Sequence, residues 1–383
     1  MASVLIICFS DLARDPRVNR QIRLLCQHHQ VTAAGYGDPR VPGVEFIQLD
    51  PGAKTPRGRA LSAARLLARR YESYYDGIPS VRQALARFHD RHFDLILAND
   101  SDTWPLATIL RTRNGGKVIM DAHEYTPREF EDVWWWRLFY QRYKTALCRR
   151  HLPSANRVLT VCAGIADQYS HAFHVRPVVI RNVPMAAHLS PAASTPGKVR
   201  LIHHGGAVPA RKIENMIEMI GLLDSRFSLD LMLIPADPTY TAKLRDMAAS
   251  HERIRFLEPV PMPEIANTIN SYDFGLYILE PTSFNNLHAL PNKFFEFIQA
   301  RLAVAIGPSP EMARIVKEED CGIVADSFDP AALAQALRDV TPAQIARWKA
   351  NSATAATRLC WESEGRILLQ ECDHLLAPGP CVE

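Results

Sequence analysis

The run HHGGAVPARKIEN (203–215) combines the residue types that hold a phosphate. Gly205 and Gly206 let the backbone approach a ligand closely, and Arg211 and Lys212 stand just before a helix start with unpaired amides and a positive dipole end. By itself a Gly-Gly pair is commonly a turn, and two adjacent cations are commonly a solvated face. A second segment, LEPTSFNNLHALPNKFFEFIQARLAVAIGPSPE (279–311), points the same way. Leu290-Pro291 breaks the chain ahead of a helix carrying Asn292, Lys293, Phe294, Phe295 and Glu296. Its first amides can receive a diphosphate, and Glu296, about one turn in, can accept hydrogen bonds from a ribose diol.

Other chemistries are absent or weakly signalled. The loop FSDLARDPR after the first apolar run holds no glycine, so the G-x-G-x-x-G fingerprint of a dehydrogenase is missing there. NDSDT (99–103) offers an Asp-x-Asp, but no second ligand cluster accompanies it. Asp100 and Asp102 read as a helix N-cap before Trp104-Pro105. No zinc spacing occurs, and the eight cysteines form no C-x-x-C pair. Several of them sit in apolar runs, which fits a reducing cytosol.

Elements able to position these residues follow from periodicity. Short β-branched runs alternate with helical-period segments, which predicts parallel sheets with crossover helices. Strands are expected at 4–8, 31–36, 44–49, 95–98, 117–121, 157–161 and 177–180, then at 199–204, 229–234, 254–257, 273–278, 302–307 and 322–326. Asp15-Pro16 reads as a cap with proline in the first turn, followed by Val18, Ile22 and Leu25 on one face. Further helices are expected near 213–223, 240–250, 263–271, 292–300 and 330–339. Domain limits then fall at 1–184, a linker at 185–197, 198–345, and C-terminal helices over 346–383 that turn back towards the first domain. Two doubly wound α/β domains would bind ligand at the carboxyl ends of their strands, in a cleft between them.

The 383 residues are 47% hydrophobic and 22% charged, an ordinary globular balance with room for two cores. No apolar run is long enough for a membrane-crossing helix, and MASVLIICF reads as a buried strand rather than a signal peptide. Residues 1–196 hold 26 Lys and Arg against 17 Asp and Glu, a balance of +9, and the remainder holds 18 against 24, a balance of −6. Much of the excess lies in KTPRGRALSAARLLARRYESYY, where Lys54, Arg57, Arg59, Arg65, Arg69 and Arg70 interleave with Leu61, Leu66, Leu67, Tyr71 and Tyr74. The stretch is either a solvated helix face or a docking face for an anionic membrane surface or lipid phosphate. EFEDVWWWRLFYQRYK adds Trp134, Trp135 and Trp136, which one helical face cannot bury together. Two could be core and one exposed, or the stretch could form an aromatic, basic surface for the headgroup layer or a lipid-linked acceptor.

PNKFFEFIQARLAVAIGPSPEM resembles the nucleotide-sugar segment of glycosyltransferases of the family-four type, which have the GT-B fold. RDPRVNRQIRLL resembles their first helix, DAHEY (121–125) their first-domain His-Glu at a strand end, VIRNVP (179–184) the start of their linker, and GGAVPARKIENMIEMI their glycine loop. The likeness runs in order along essentially the whole chain.

It implies a retaining, metal-independent transferase that moves a sugar from a nucleotide diphosphate sugar, a UDP-sugar foremost, to an acceptor hydroxyl. Gly205 and Gly206 would line the donor phosphates, with Arg211 and Lys212 as catalytic cations. The amides around Ala289 to Pro291, Leu290 among them, would hold the distal phosphate beside Asn292 and Lys293. Glu296 would take the ribose, Phe256 to Val260 would flank the base, and His123 would face the donor sugar as a catalytic group. Asp15, Arg17, Glu124 and Arg128 fall on the acceptor side. The family's first glutamate of a pair is here His288, and the arginine after its first loop glycine is here Gly206. No separate cofactor, metal or nucleic acid is implied. The partners are the donor, a glycan or lipid-linked acceptor in surface polysaccharide synthesis and an anionic membrane face, with the protein in the cytoplasm or on the inner face of the membrane. Two other readings share the architecture: a nucleotide-sugar 2-epimerase, and a non-catalytic binding protein.

Overall fold

The computed structural model describes residues 1–53 and 55–377; Lys54 and Cys381 lie outside them. The chain divides into two units. The first comprises Met1–Arg181 with Ser283–Asn285 and the chain from Gly365, and the second Asn182–Thr282 with Asn286–Glu364.

All thirteen expected strands form, with ends shifted by a residue or two. The first unit holds β1 (Ser3–Ile7), β2 (Gln30–Gly35), β3 (Glu45–Gln48), β4 (Leu95–Asn99), β5 (Lys117–Ala122), β6 (Arg157–Thr160) and β7 (Val178–Val179). They make one parallel sheet in the order β3-β2-β1-β4-β5-β6-β7. The second holds β8 (Val199–Gly206), β9 (Phe227–Ile234), β10 (Ile254–Leu257), β11 (Phe274–Tyr277), β12 (Ala303–Ile306) and β13 (Gly322–Val324), parallel in the order β10-β9-β8-β11-β12-β13. Both orders reverse direction once, between β1 and β4 and between β8 and β11. Those switch points are where loops diverge and a ligand can enter.

Central strands are apolar throughout because helices cover both faces: Val4 to Ile7 and Leu95 to Ala98 are buried without alternation. The first helix, Pro16–Leu25, starts as its sequence dictates. Asp15 Oδ1 accepts from Val18 N at 3.1 Å, and Val18, Ile22 and Leu25 are fully buried.

The helix Asn292–Gln299 is unusual in that every residue from Lys293 to Gln299 is buried. Gly275 on β11 permits this: a Cβ there would lie 2.1 Å from Cγ of Phe297. The close approach presses the helix onto the sheet and carries Lys293 and Glu296 into the interior.

Residues 185–197 have no helix or strand and group with the second unit. Their backbone finds side-chain partners instead. Ala187 N donates to Gln299 Oε1 at 2.9 Å, and Arg301 donates to the carbonyls of Leu189 and Ala187. The helix Pro342–Ala356 packs on β12 and on Asn292–Gln299, so the chain joins the first unit only from Gly365, within the helix Trp361–Leu376.

Candidate functional site

In the second unit β8 ends in His203-His204-Gly205-Gly206, and a short turn, Pro209–Arg211, follows. Gly205 has φ +122°, a backbone conformation that only glycine adopts without strain. A Cβ at Gly205 would sit 3.0 Å from Lys293 Nζ and 3.4 Å from Arg211 Nη1. The two cations therefore converge over the glycine from opposite elements. Arg211 also donates to the carbonyl of Gly206 at 2.9 Å, which fixes its guanidinium across the loop.

Lys293 is buried, with Nζ 4.5 Å from the centroid of the Tyr277 ring and 3.5 Å from His203 Nε2. Burial and then Arg211 push its amine well below the usual lysine range, against the weaker pull of Glu296. His203 Nδ1 lies 2.9 Å from the carbonyl of Leu276, which can only accept, so the ring proton is on Nδ1 and Nε2 presents a lone pair. Burial, then Lys293 and Arg211, lower His204 to about 3; its Nε2 is 3.4 Å from Glu296 Oε2.

The first unit has its own polar cavity of about 220 Å³ beyond β4 and β5, lined by Asp100, Ser101, Asp102, His123, Glu124, Thr126, Glu129 and Lys144. Beneath it Arg17 grips Asp121 in a two-pronged ion pair, Nε and Nη2 each at 2.8 Å, and Gln21 adds a bond at 2.6 Å. Burial raises the Asp121 carboxyl, but Arg17 and His123 outweigh it and hold it well below the usual range. His123 places Nδ1 3.3 Å from Asp100 and Nε2 3.1 Å from Asn99 Oδ1. Burial disfavours its charge, yet Asp100 and Asp121 push it up to about 9, so both ring nitrogens donate at neutral pH. Burial, then Glu129 and Asp100, push Glu124 up to about 7. Lys144 Nζ bridges Ser101 Oγ at 2.9 Å and both Asp102 oxygens at 3.0 Å.

Residues 18–189, most of the first unit and the start of the second, match the sequence profile of Glycosyltransferase Family 4. Over those residues the chain is similar to Glycosyltransferase Family 4. No curated relative matches the chain by sequence. Solved structures match it over nearly its full length. Sucrose-phosphate synthase from Thermosynechococcus elongatus is 15% identical, with 98% of this chain and 100% of that one covered at TM-score 0.72. Anabaena HepE in complex with UDP-glucose is 12% identical, with 99% and 100% covered at TM-score 0.70. WaaG, a glycosyltransferase involved in lipopolysaccharide biosynthesis, is 13% identical, with 98% and 100% covered at TM-score 0.62. The fold is that of the GT-B glycosyltransferases.

Several site residues of this glycosyltransferase fold stand differently from what their sequence positions imply. Lys212 adopts φ +43° and pairs with Glu280, so it leaves the cation cluster that Arg211 and Lys293 form. Ala289 already donates its amide to Asn286 O at 3.3 Å, and Pro291 has none, which leaves the Leu290 amide from that trio. Glu296 is buried, 5% exposed, beside His204. His288 Nδ1 is 3.5 Å from Glu311 Oε1, and Glu311, in the first turn of the helix Pro310–Glu318, also receives Arg314 at 3.0 Å. Phe256 lies on edge strand β10 under the Arg245 guanidinium, 4.6 Å from its ring, and Val260 is half-buried in the loop beyond.

On the acceptor side, Arg17 is 2% exposed and spent on Asp121 and the carbonyl of Ile180, so it positions rather than contacts. Asp15 has both oxygens engaged, by Val18 N and by Ser10 Oγ at 3.0 Å. Arg128 is exposed, pairs with Glu131 and lies over the Phe284 ring at 4.9 Å. Asp100 and Asp102 are not caps. The cap residue of Trp104–Asn114 is Thr103, and Asp100, at φ +62°, serves His123 while Asp102 serves Lys144.

Sequence reasoning missed Lys144, Glu129 and Glu311. For Lys144 a signal existed: a lysine on the buried stripe Tyr143, Leu147, Cys148 must find an anionic partner. Of the three consecutive tryptophans Trp136 is buried, and Trp134 and Trp135 are exposed. Leu66 is buried and Tyr71 and Tyr74 pack around it, leaving Leu61 and Leu67 outward with Arg57, Arg59, Arg69 and Arg70. The helices Pro56–Leu67 and Trp134–Phe139 that carry these groups touch one another. No described helix is long and apolar enough to cross a membrane.

Proposed function

We propose that the protein is a retaining glycosyltransferase that takes a UDP-sugar and transfers the sugar to an acceptor hydroxyl without a metal ion on the diphosphate. The observation that carries this is the convergence of Arg211 and Lys293 over Gly205. Two basic side chains aimed at one point, with no carboxylate between them among the described residues, form a seat for a diphosphate and, once both are charged there, stabilise the charge that develops on it as the glycosidic bond breaks. UDP-glucose in the neighbouring HepE structure and the Family 4 profile of the first unit support the nucleotide assignment. Glu296, close to this seat, is the group for the ribose diol, and His288 with Glu311 the group for a sugar hydroxyl. Asn292 Oδ1, buried without a hydrogen-bond partner among the described residues at the start of its helix, offers a further acceptor. Retention in this reading needs no dedicated side-chain base, because the leaving phosphate can take the acceptor proton on the same face.

The acceptor is a glycan of surface polysaccharide synthesis carried on a lipid. The outward Leu61, Leu67, Trp134, Trp135 and Leu138 beside Arg57, Arg59, Arg69, Arg70 and Arg137 support a docking face for an anionic bilayer on the cytoplasmic side. Sedimentation with phosphatidylglycerol vesicles should carry the protein down at low salt, and Trp134→Ala with Arg69→Ala should leave it in solution.

The function itself is tested by calorimetric titration with UDP, GDP, ADP and CDP in EDTA. Saturable binding of UDP, lost in Glu296→Ala, is expected. Transfer from UDP-glucose should then give a product whose anomeric proton coupling matches the donor. Absence of binding by every nucleotide removes the reading.

The acidic first-unit cavity favours one second reading, a nucleotide-sugar 2-epimerase. Glu124, near neutrality, and His123 could exchange a proton with a sugar carbon. That reading requires solvent deuterium to enter C2 of a UDP-sugar with no acceptor present.

A further inference from the structure

Lys293 is in a position that a charged lysine rarely holds. Its ammonium group is buried, its aromatic contact is the Tyr277 face, and no carboxylate lies within ion-pair distance of Nζ among the described residues. Burying a lone charge is costly unless something opposite is brought to it. The titratable groups facing it come from four elements: Arg211 from the turn after β8, His203 and His204 from β8, Tyr277 from β11, and Glu296 from its own helix. Of these only Glu296 favours a charged lysine, and it sits against His204. Arg211 opposes it across Gly205, within 3.4 Å of the same point that Lys293 reaches at 3.0 Å. His203 Nε2, 3.5 Å away, can accept a hydrogen from the neutral amine as well as from the ammonium.

We propose that Lys293 rests as the uncharged amine and takes a proton from solvent when a diphosphate enters between it and Arg211, so that donor binding is coupled to uptake of one proton. This rests on the reading of the glycine loop as the donor-diphosphate site. The incoming phosphates supply the missing opposite charge, and the ammonium then becomes the second phosphate cation. Lys293 thereby fills a place that the loop leaves open, because Gly206 has no side chain to offer. Proton balance is simple: bulk water or buffer donates one proton to Nζ on binding and recovers it when the diphosphate leaves. The affinity for donor accordingly weakens as pH rises.

The test is calorimetric titration of the full chain with UDP at pH 8, in buffers of different ionisation enthalpy. The slope of the observed heat against buffer enthalpy counts protons. A phosphate whose last ionisation lies near pH 6 is already fully ionised there, so UDP itself contributes none. Wild type should take up close to one proton per UDP. Lys293→Arg, charged at all working pH values, should bind UDP with no uptake, and Lys293→Met should bind at least tenfold more weakly, also with no uptake. Circular dichroism of both variants shows whether they fold, and either one suffices. UDP binding without proton uptake in wild type overturns the inference and leaves the nucleotide reading standing. Uptake that persists in Lys293→Met overturns it too, by assigning the proton to His203 or His204. A wild-type protein that binds no UDP overturns both.

Discussion

Arg211→Ala is expected to lower kcat/KM for sugar transfer by about 10²–10³, the usual effect of removing one preorganised donor from a developing oxyanion. The side chain is half-exposed, and among the described residues its one side-chain hydrogen bond goes to the carbonyl of Gly206. Stability should therefore stay within about 0.5 kcal/mol of wild type, as for an ordinary surface change. Lys212→Ala provides the contrast. Its Nζ is committed to Glu280, an exposed pair of the kind that contributes ~0–1 kcal/mol, so transfer should change by less than about threefold. Steady-state kinetics with a UDP-sugar separates the two. Equal losses in both variants would show that the cluster is Arg211 with Lys212 and that Lys293 stands apart.

Arg17→Met should destabilise the first unit by about 3–5 kcal/mol, because it leaves Asp121 buried and ionised with its main partner gone. Urea unfolding monitored by fluorescence checks this. Asp121→Asn combined with Arg17→Met should recover part of the loss, since no lone charge then remains. The pH dependence follows from Asp121, whose folded carboxyl is held below its unfolded value. The pair's contribution is complete above the unfolded carboxylate value of about 4 and is lost as pH falls through the lower folded value. Acid unfolding of the variant should lack that part of the slope. A loss under about 1 kcal/mol would mean that His123 and Gln21 alone suffice to hold Asp121.

Much of this was legible in advance because strand and helix patterns are local. Alternation of β-branched runs with Asp-Pro and Leu-Pro helix starts placed all thirteen strands and the helix that carries Lys293 and Glu296. The loop glycines were legible for the same reason, since a positive φ at Gly205 is a property of one residue. Resemblance to Family 4 in order along the chain then implied which half would take the donor.

Pairings were not legible. Arg211 and Lys212 are adjacent and chemically alike, yet one meets Lys293 across Gly205 and the other turns to Glu280. That choice follows from the left-handed backbone at Lys212 and from where β11 ends, neither of which neighbouring residues encode. Asp100 and Asp102 looked like caps for the helix after them; the fold gives them His123 and Lys144, 23 and 42 residues away, because β5 and the helix Gln141–His151 arrive at the same edge. Arg17 lies in a motif that reads as ligand-facing, and parallel pairing of β1, β4 and β5 buries it against Asp121 instead. The sequence by itself determined two Rossmann-like sheets, their helices and a glycine loop before a cationic turn. Which cations share a pocket, and hence which of them can be charged there, was decided only by the tertiary structure, because the cost of a buried charge depends on every group that packing brings within a few ångströms of it.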